Sequence, residues 1–278
     1  RLICADDNPK GAPFSEEPID TPLSGNHSGK NQVIHAGSHG LVPSAPEFEC
    51  SDGFTLQALV MATTPENGRQ GIIGTWSQTE HTGASLVVGD DGAAGLVVGD
   101  GKASVWITTG VPLVKRAWYR LAASYDRTSG SAVLVQEPLD GGHGTTRTVA
   151  LPVEPTGRAG PLLMAAWHHE HDDGRGYHAG CFNGRIEAPR LAGCALEGEA
   201  IALAQADPRA GAVRDAIIGA WDFSQDISGE RMVDISGNGH DGEVLHMPQR
   251  GVRGAAWSGR EMCWRHAPDE YGAIHFHD

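Results

Sequence analysis

Trp118 to Asp126 alternates with a period of two: Tyr119, Leu121, Ala123 and Tyr125 share one side, and Arg120, Ser124 and Asp126 the other. That spacing is the pattern of a half-buried β-strand. Arg127-Thr128-Ser129-Gly130 supplies turn chemistry, and Ser131 to Val135 resumes apolar extended character, so the stretch predicts a hairpin. A chain built on this unit must bury strand faces against another sheet.

The same unit recurs on both sides. Phe54 to Met61, Gly71 to Trp76, Ala84 to Gly89, Gly95 to Val98 and Lys102 to Thr108 read as strands, punctuated by Asp90-Asp91-Gly92 and Gly99-Asp100-Gly101. Leu86-Val87-Val88 and Leu96-Val97-Val98 echo each other as arms of one hairpin. Further strands are expected at Gln32 to Val42, with a bend at Gly37, and at Thr145 to Leu151, Leu162 to Trp167, Phe182 to Leu191, Gly219 to Ser224 and Glu243 to His246. Leu196 to Gln205 carries the one helical pattern, and Asp234 to Gly242 reads as a long turn. Pro9, Pro13, Pro18 and Pro22 make residues 1 to about 30 loop-like. Many short strands, frequent glycine turns and one short helix predict an all-β, two-sheet antiparallel β-sandwich with jelly-roll connections. An α/β fold would need helices alternating with the strands.

Composition narrows the partners. A net charge of -14 repels nucleic acid and anionic lipid, which excludes both as expected partners. No apolar run approaches the ~20 residues that span a bilayer, and no leader pattern is present. Cys4, Cys50, Cys181, Cys194 and Cys263 are odd in number and lack C-x-x-C spacing, so a reducing cytoplasm is expected, with the thiols as small buried hydrophobes. The start at Arg1 and the stop at Asp278, inside an alternating pattern, read as cuts through a longer polypeptide.

Trp167-His168-His169-Glu170-His171-Asp172-Asp173-Gly174-Arg175-Gly176-Tyr177-His178 is the densest set of candidate metal ligands. Gly174 and Gly176 loosen it, so a solvated loop between two strands is the preferred reading. Asp90-Asp91, Asp172-Asp173 and Asp234 to Asp241 offer oxygens to calcium, yet Asp and Asn suit such turns without any ion. No nucleophile elbow, zinc-protease helix, phosphate loop or dinucleotide fingerprint is present in the right flanks. Trp76, Trp106, Trp118, Trp167, Trp221, Trp257 and Trp264 are expected in the core or an interface, not as sugar platforms. No catalytic, cofactor-binding or metal residue is therefore assigned.

Several segments together resemble the concanavalin A-like/laminin-G-like jelly roll: Phe54 to Val60, Gly71 to Trp76, Trp118 to Asp126, and Phe182 to Glu187 followed by the Ala195-Leu196 helix start. The Asp234 to Gly242 turn is similar to one of that fold's turns, which usually precedes the central strands, so the resemblance implies a permuted or extended order. Arg1-Leu2-Ile3 with Asp7-Asn8-Pro9, Thr64-Pro65 to Gly71, Phe182 to Leu191 and Trp221-Asp222-Phe223 resemble the large (beta) subunit of N,N-dimethylformamidase. That resemblance implies a cytoplasmic assembly of large and small subunits that hydrolyses a formamide to formate and an amine. It also implies a single iron held by tyrosine and glutamate in a later domain, with none of those ligands in this segment.

The expected organisation is an irregular segment with one strand over residues 1–45 and a laminin-G-like domain over 46–278, which scaffolds assembly without breaking bonds. Its implied partners are the small subunit and the downstream catalytic domain, in a homo- or hetero-oligomer. Gly251 to Trp257 and Met262 to His266 combine the Trp, Met and Arg enriched at interfaces and are expected to face those partners. A carbohydrate-binding lectin-like module is the alternative, and a metal-dependent adhesion domain a third.

Overall fold

Strand follows strand because the alternating segments can bury only one face each until they pair. The computed structural model describes residues 37–170, 176–246, 248, 250, 251, 254 and 255. Its first strand, β1 (His39–Val42), is followed by β2 (Gly53–Ala62), β3 (Gln70–Gly74), β4 (Ala84–Val88), β5 (Ala93–Gly99) and β6 (Ser104–Pro112). The central hairpin is β7 (Trp118–Asp126) with β8 (Ser131–Pro138), and β9 (Thr145–Ala150) completes the run. Beyond it come β10 (Leu162–Met164), β11 (Trp167–Glu170), β12 (Gly176–Ala179), β13 (Gly184–Ala192), the helix α1 (Glu199–Ala206), β14 (Ile217–Asp222), β15 (Arg231–Asp234) and β16 (Gly242–Leu245).

Among the described residues, fourteen strands form one hydrogen-bonded ladder in the order β6-β5-β4-β3-β10-β1-β16-β15-β14-β13-β2-β7-β8-β9, with neighbouring strands antiparallel throughout. The ladder folds over so that its two halves face each other. Ile72, Ile73, Leu86, Val88, Leu96 and Val42 from one half share a core with Phe54, Leu56, Val60, Leu121, Ala123, Tyr125 and Leu134 from the other. Gln136 ties the layers with polar bonds: its Oε1 accepts from the Ala94 N–H at 3.0 Å and the Thr109 hydroxyl at 2.9 Å, and its Nε2 donates to the Val111 carbonyl at 2.9 Å.

The expected sandwich is thus the observed one, and β7 begins and ends where the alternation does. Leu86 lies directly opposite Leu96, as the echo of the two Val-rich arms requires. Three expectations are corrected. The far side of β7 is not a solvated face: Ala122 packs under α1 with Ile201 and Ala204, and Ser124 is buried against Thr55. The helix starts at Glu199, not Leu196, because Gly198 takes φ 48° and ψ -119°, a backbone conformation that breaks the helical run just before Glu199. Leu162 to Trp167 is two strands, since Ala165 takes a left-handed φ of 67° and turns the chain out of the sheet.

The strand seen in the expected N-terminal segment, β1, sits inside the ladder between β10 and β16. The expected strand residues 32–36 lie outside the described residues. β15 is an additional strand, at whose end the Asp234 turn begins.

Candidate functional site

The two ends of the His-rich run, which were expected in a solvated loop, are paired strands. β11 and β12 pair antiparallel, which sets His168 opposite His178 and Trp167 opposite Ala179. The hairpin is fastened to the outer side of the first sheet. The Gln78 N–H donates to the His168 carbonyl at 2.9 Å, the Trp167 indole N–H donates to Gln78 Oε1 at 2.9 Å, and the Glu170 N–H donates to Thr79 Oγ1 at 2.8 Å. Trp167 itself packs with Trp76, Val87 and Val97. Gly180 is required where the hairpin returns: its φ is 59°, and a Cβ there would lie 2.1 Å from the Trp167 ring.

Sheet order then delivers two histidines that are distant in sequence. His39 of β1, only 3% exposed, stands edge-on to His178 with ring centroids 4.2 Å apart, and its Nε2 touches His178 Nδ1. His246, at the end of β16, lies 5.3 Å from His39, while His168 lies 6.4 Å from His178. His39 Nδ1 is 3.2 Å from the Gly37 carbonyl, so that nitrogen carries the proton and Nε2 keeps its lone pair.

Burial dominates the electrostatics of the cluster. It pushes the His178 ring down to about 4, with His39, His168 and His246 adding repulsion. Burial also lowers His39, opposed by the Gly37 carbonyl and assisted by His246. In His168 burial and the Arg158 charge lower the pKa against the pull of Glu80 and Glu170. The rings of His39, His168 and His178 are accordingly neutral at pH 7.

Of the His-rich run, the structure brings together His168 and His178; His169 is set opposite Tyr177, and His171, Asp172 and Asp173 lie outside the described residues. His39 and His246 carried no local signal, because β1 and β16 flank the hairpin only through the ladder. Among the described residues, no three His, Cys, Asp or Glu side chains are gathered as a ready-made cation cage.

The acidic turns use their oxygens on the protein. Asp234 accepts from the N–H groups of Ala220, Ser236 and His240 at 3.0, 2.8 and 2.9 Å and from the Ser236 hydroxyl at 2.8 Å. Asp241 accepts from the Asp234 N–H at 2.8 Å and pairs with Arg231. Asp91 takes the Ala93 N–H and the Thr108 hydroxyl, and Asp90 pairs with Arg69 at 2.7 Å.

The tryptophans are similarly occupied. Trp76, Trp167 and Trp221 are buried, the Arg69 guanidinium lies 4.2 Å over the Trp106 ring, and Trp118 is half-buried in β7. Trp257 and Trp264 lie outside the described residues. Cys50, Cys181 and Cys194 are free thiols, and burial pushes Cys50 up to about 12. Cys194 is exposed, which departs from the buried thiols expected.

No protein-family model matches the chain. The β subunit of N,N-dimethylformamidase from Paracoccus aminophilus is 32% identical over all of this chain, which covers 39% of that relative. The β subunit of the same name from an Alcaligenes species is 30% identical, again over the whole chain and 39% of the relative. A candidate carbohydrate-binding protein from Bacteroides ovatus shares the fold at TM-score 0.52 and 17% identity, over 76% of this chain and 56% of that one. Throughout its length the chain is homologous to a portion, about two-fifths, of the N,N-dimethylformamidase β subunit.

Proposed function

We propose that this chain is the non-catalytic jelly-roll portion of the large subunit of an amidohydrolase of the N,N-dimethylformamidase type. In this reading the rest of the large subunit holds an iron and hydrolyses a formamide to formate and an amine, and this portion holds that domain and the small subunit in place, in the cytoplasm. The observation that carries the reading is full-length homology to 39% of relatives bearing that name. The chemistry of the described residues agrees with it. Carboxylates in the turns are engaged by backbone N–H groups, and the large aromatic faces are packed or covered.

The test is to express the full-length large subunit with and without this segment beside the small subunit. Loss of co-purification on deletion is the expected outcome. A deletion variant that still assembles with the small subunit and releases formate from dimethylformamide at the intact rate would contradict the scaffold role. Saturable glycan binding by the segment would favour the lectin-like alternative.

A further inference from the structure

We propose that His39 and His178 form a two-imidazole site for a borderline divalent cation, Zn²⁺, Ni²⁺ or Cu²⁺, clamped between β1 and the β11–β12 hairpin. The inference is independent of the amidohydrolase reading. It starts from orientation. His39 donates its Nδ1 proton to the Gly37 carbonyl, the second partner that metal-binding imidazoles characteristically have, and this leaves the Nε2 lone pair aimed at His178 Nδ1. His39 is held by a strand paired on both sides, and His178 by a hairpin that the Gln78 and Thr79 contacts fix to the sheet. Two rings on rigid elements thus face each other through nitrogen atoms.

Burial keeps both rings neutral, the form in which imidazole donates to a metal. Imidazole suits zinc, copper and nickel more than magnesium or calcium. In the cation-free protein a proton on His178 Nδ1 bridges the pair. On binding, that proton moves to His178 Nε2, the cation takes its place, and the rings part until the nitrogens are roughly 3 Å apart, as two bonds of about 2.0–2.1 Å require. Water fills the remaining coordination positions, and the exposed His246 ring borders them.

The untagged, chelator-treated chain at pH 7.5 is titrated with NiCl₂ and with ZnSO₄, following heat and tryptophan fluorescence, since Trp167 precedes His168 on β11. One saturable site is expected, weakened tenfold or more by His178→Phe or by His39→Gln. His168→Ala, on the same hairpin, should change the affinity less than threefold. Equal binding by wild type and His178→Phe, or an equal loss in His168→Ala, would overturn the assignment. Should the His39 and His178 variants fail to fold, ¹⁵N spectra of the wild type decide it. Zinc must shift His39 Nε2 and His178 Nδ1, and binding that leaves both resonances in place would contradict the site.

Discussion

Gln136 is the residue on which the two layers depend most plainly. Its amide meets two buried donors, the Ala94 N–H of β5 and the Thr109 hydroxyl of β6, and one part-buried acceptor, the Val111 carbonyl of β6. Replacing it by leucine keeps the volume but leaves the buried Ala94 N–H and Thr109 hydroxyl without their acceptor, at about 1–3 kcal/mol per buried group. Gln136→Leu should therefore lose roughly 3 kcal/mol in a urea titration. Nothing in the sequence marks this role, since a glutamine after Val133-Leu134-Val135 reads as the end of a strand, whereas β8 runs on to Pro138.

Cys50 behaves differently from an exposed thiol for a related reason. Burial, reinforced by Glu49, keeps it protonated with a pKa of about 12, so among the described thiols iodoacetamide at pH 8 should label Cys194 first and Cys50 only on unfolding. The unfolded thiol ionises near its usual alkaline value while the folded one resists, so this contribution is full below about pH 9 and is lost as the pH climbs from 9 toward 12. Relative to wild type, a Cys50→Ala variant should show a shallower decline of melting temperature over that interval.

Among the elements, the β11–β12 hairpin is the part least legible beforehand. Its composition, rich in His, Asp and Gly, reads as a solvated loop, and what makes it a hairpin is the docking of Trp167 on Trp76, Val87 and Val97. Pattern rules see alternation within a segment; they do not see a hairpin laid across another strand's outer face. Gly180→Ala tests the docking. The added Cβ would meet the Trp167 ring at 2.1 Å in a left-handed backbone, so a loss of about 2–4 kcal/mol with a red-shifted tryptophan emission is expected.

The Asp234 turn shows the opposite case, where turn chemistry was readable and the flanking strand β15 was not. Four residues, Arg231 to Asp234, are too few for periodicity to register, and Asp234 earns its place by closing the turn over Ala220. Asp234→Ala should cost roughly 3 kcal/mol, because several N–H groups lose their acceptor. Millimolar calcium should leave the melting temperature of the wild type unchanged.

At the scale of the whole molecule, the class of fold was readable because it follows from alternation and turns repeated along the chain, and β2, β4 and β7 lie where those signals put them. The helix layer and the histidine cluster were not, because both arise from ladder order: α1 packs on β13 and β2, with Ala122 of β7 in the same cluster, and β1 reaches β16 only across the fold. The resemblance to the dimethylformamidase large subunit rested on segments spread over the chain, and the homology extends over all of it. What the chain does under the proposed reading turns on whether bond breaking resides here.

Formate release from N,N-dimethylformamide, assayed side by side for this isolated segment and for the full-length large subunit assembled with its small subunit, measures that directly. No release by the segment, with turnover by the assembly, is the predicted result. Turnover by the segment alone would contradict the account.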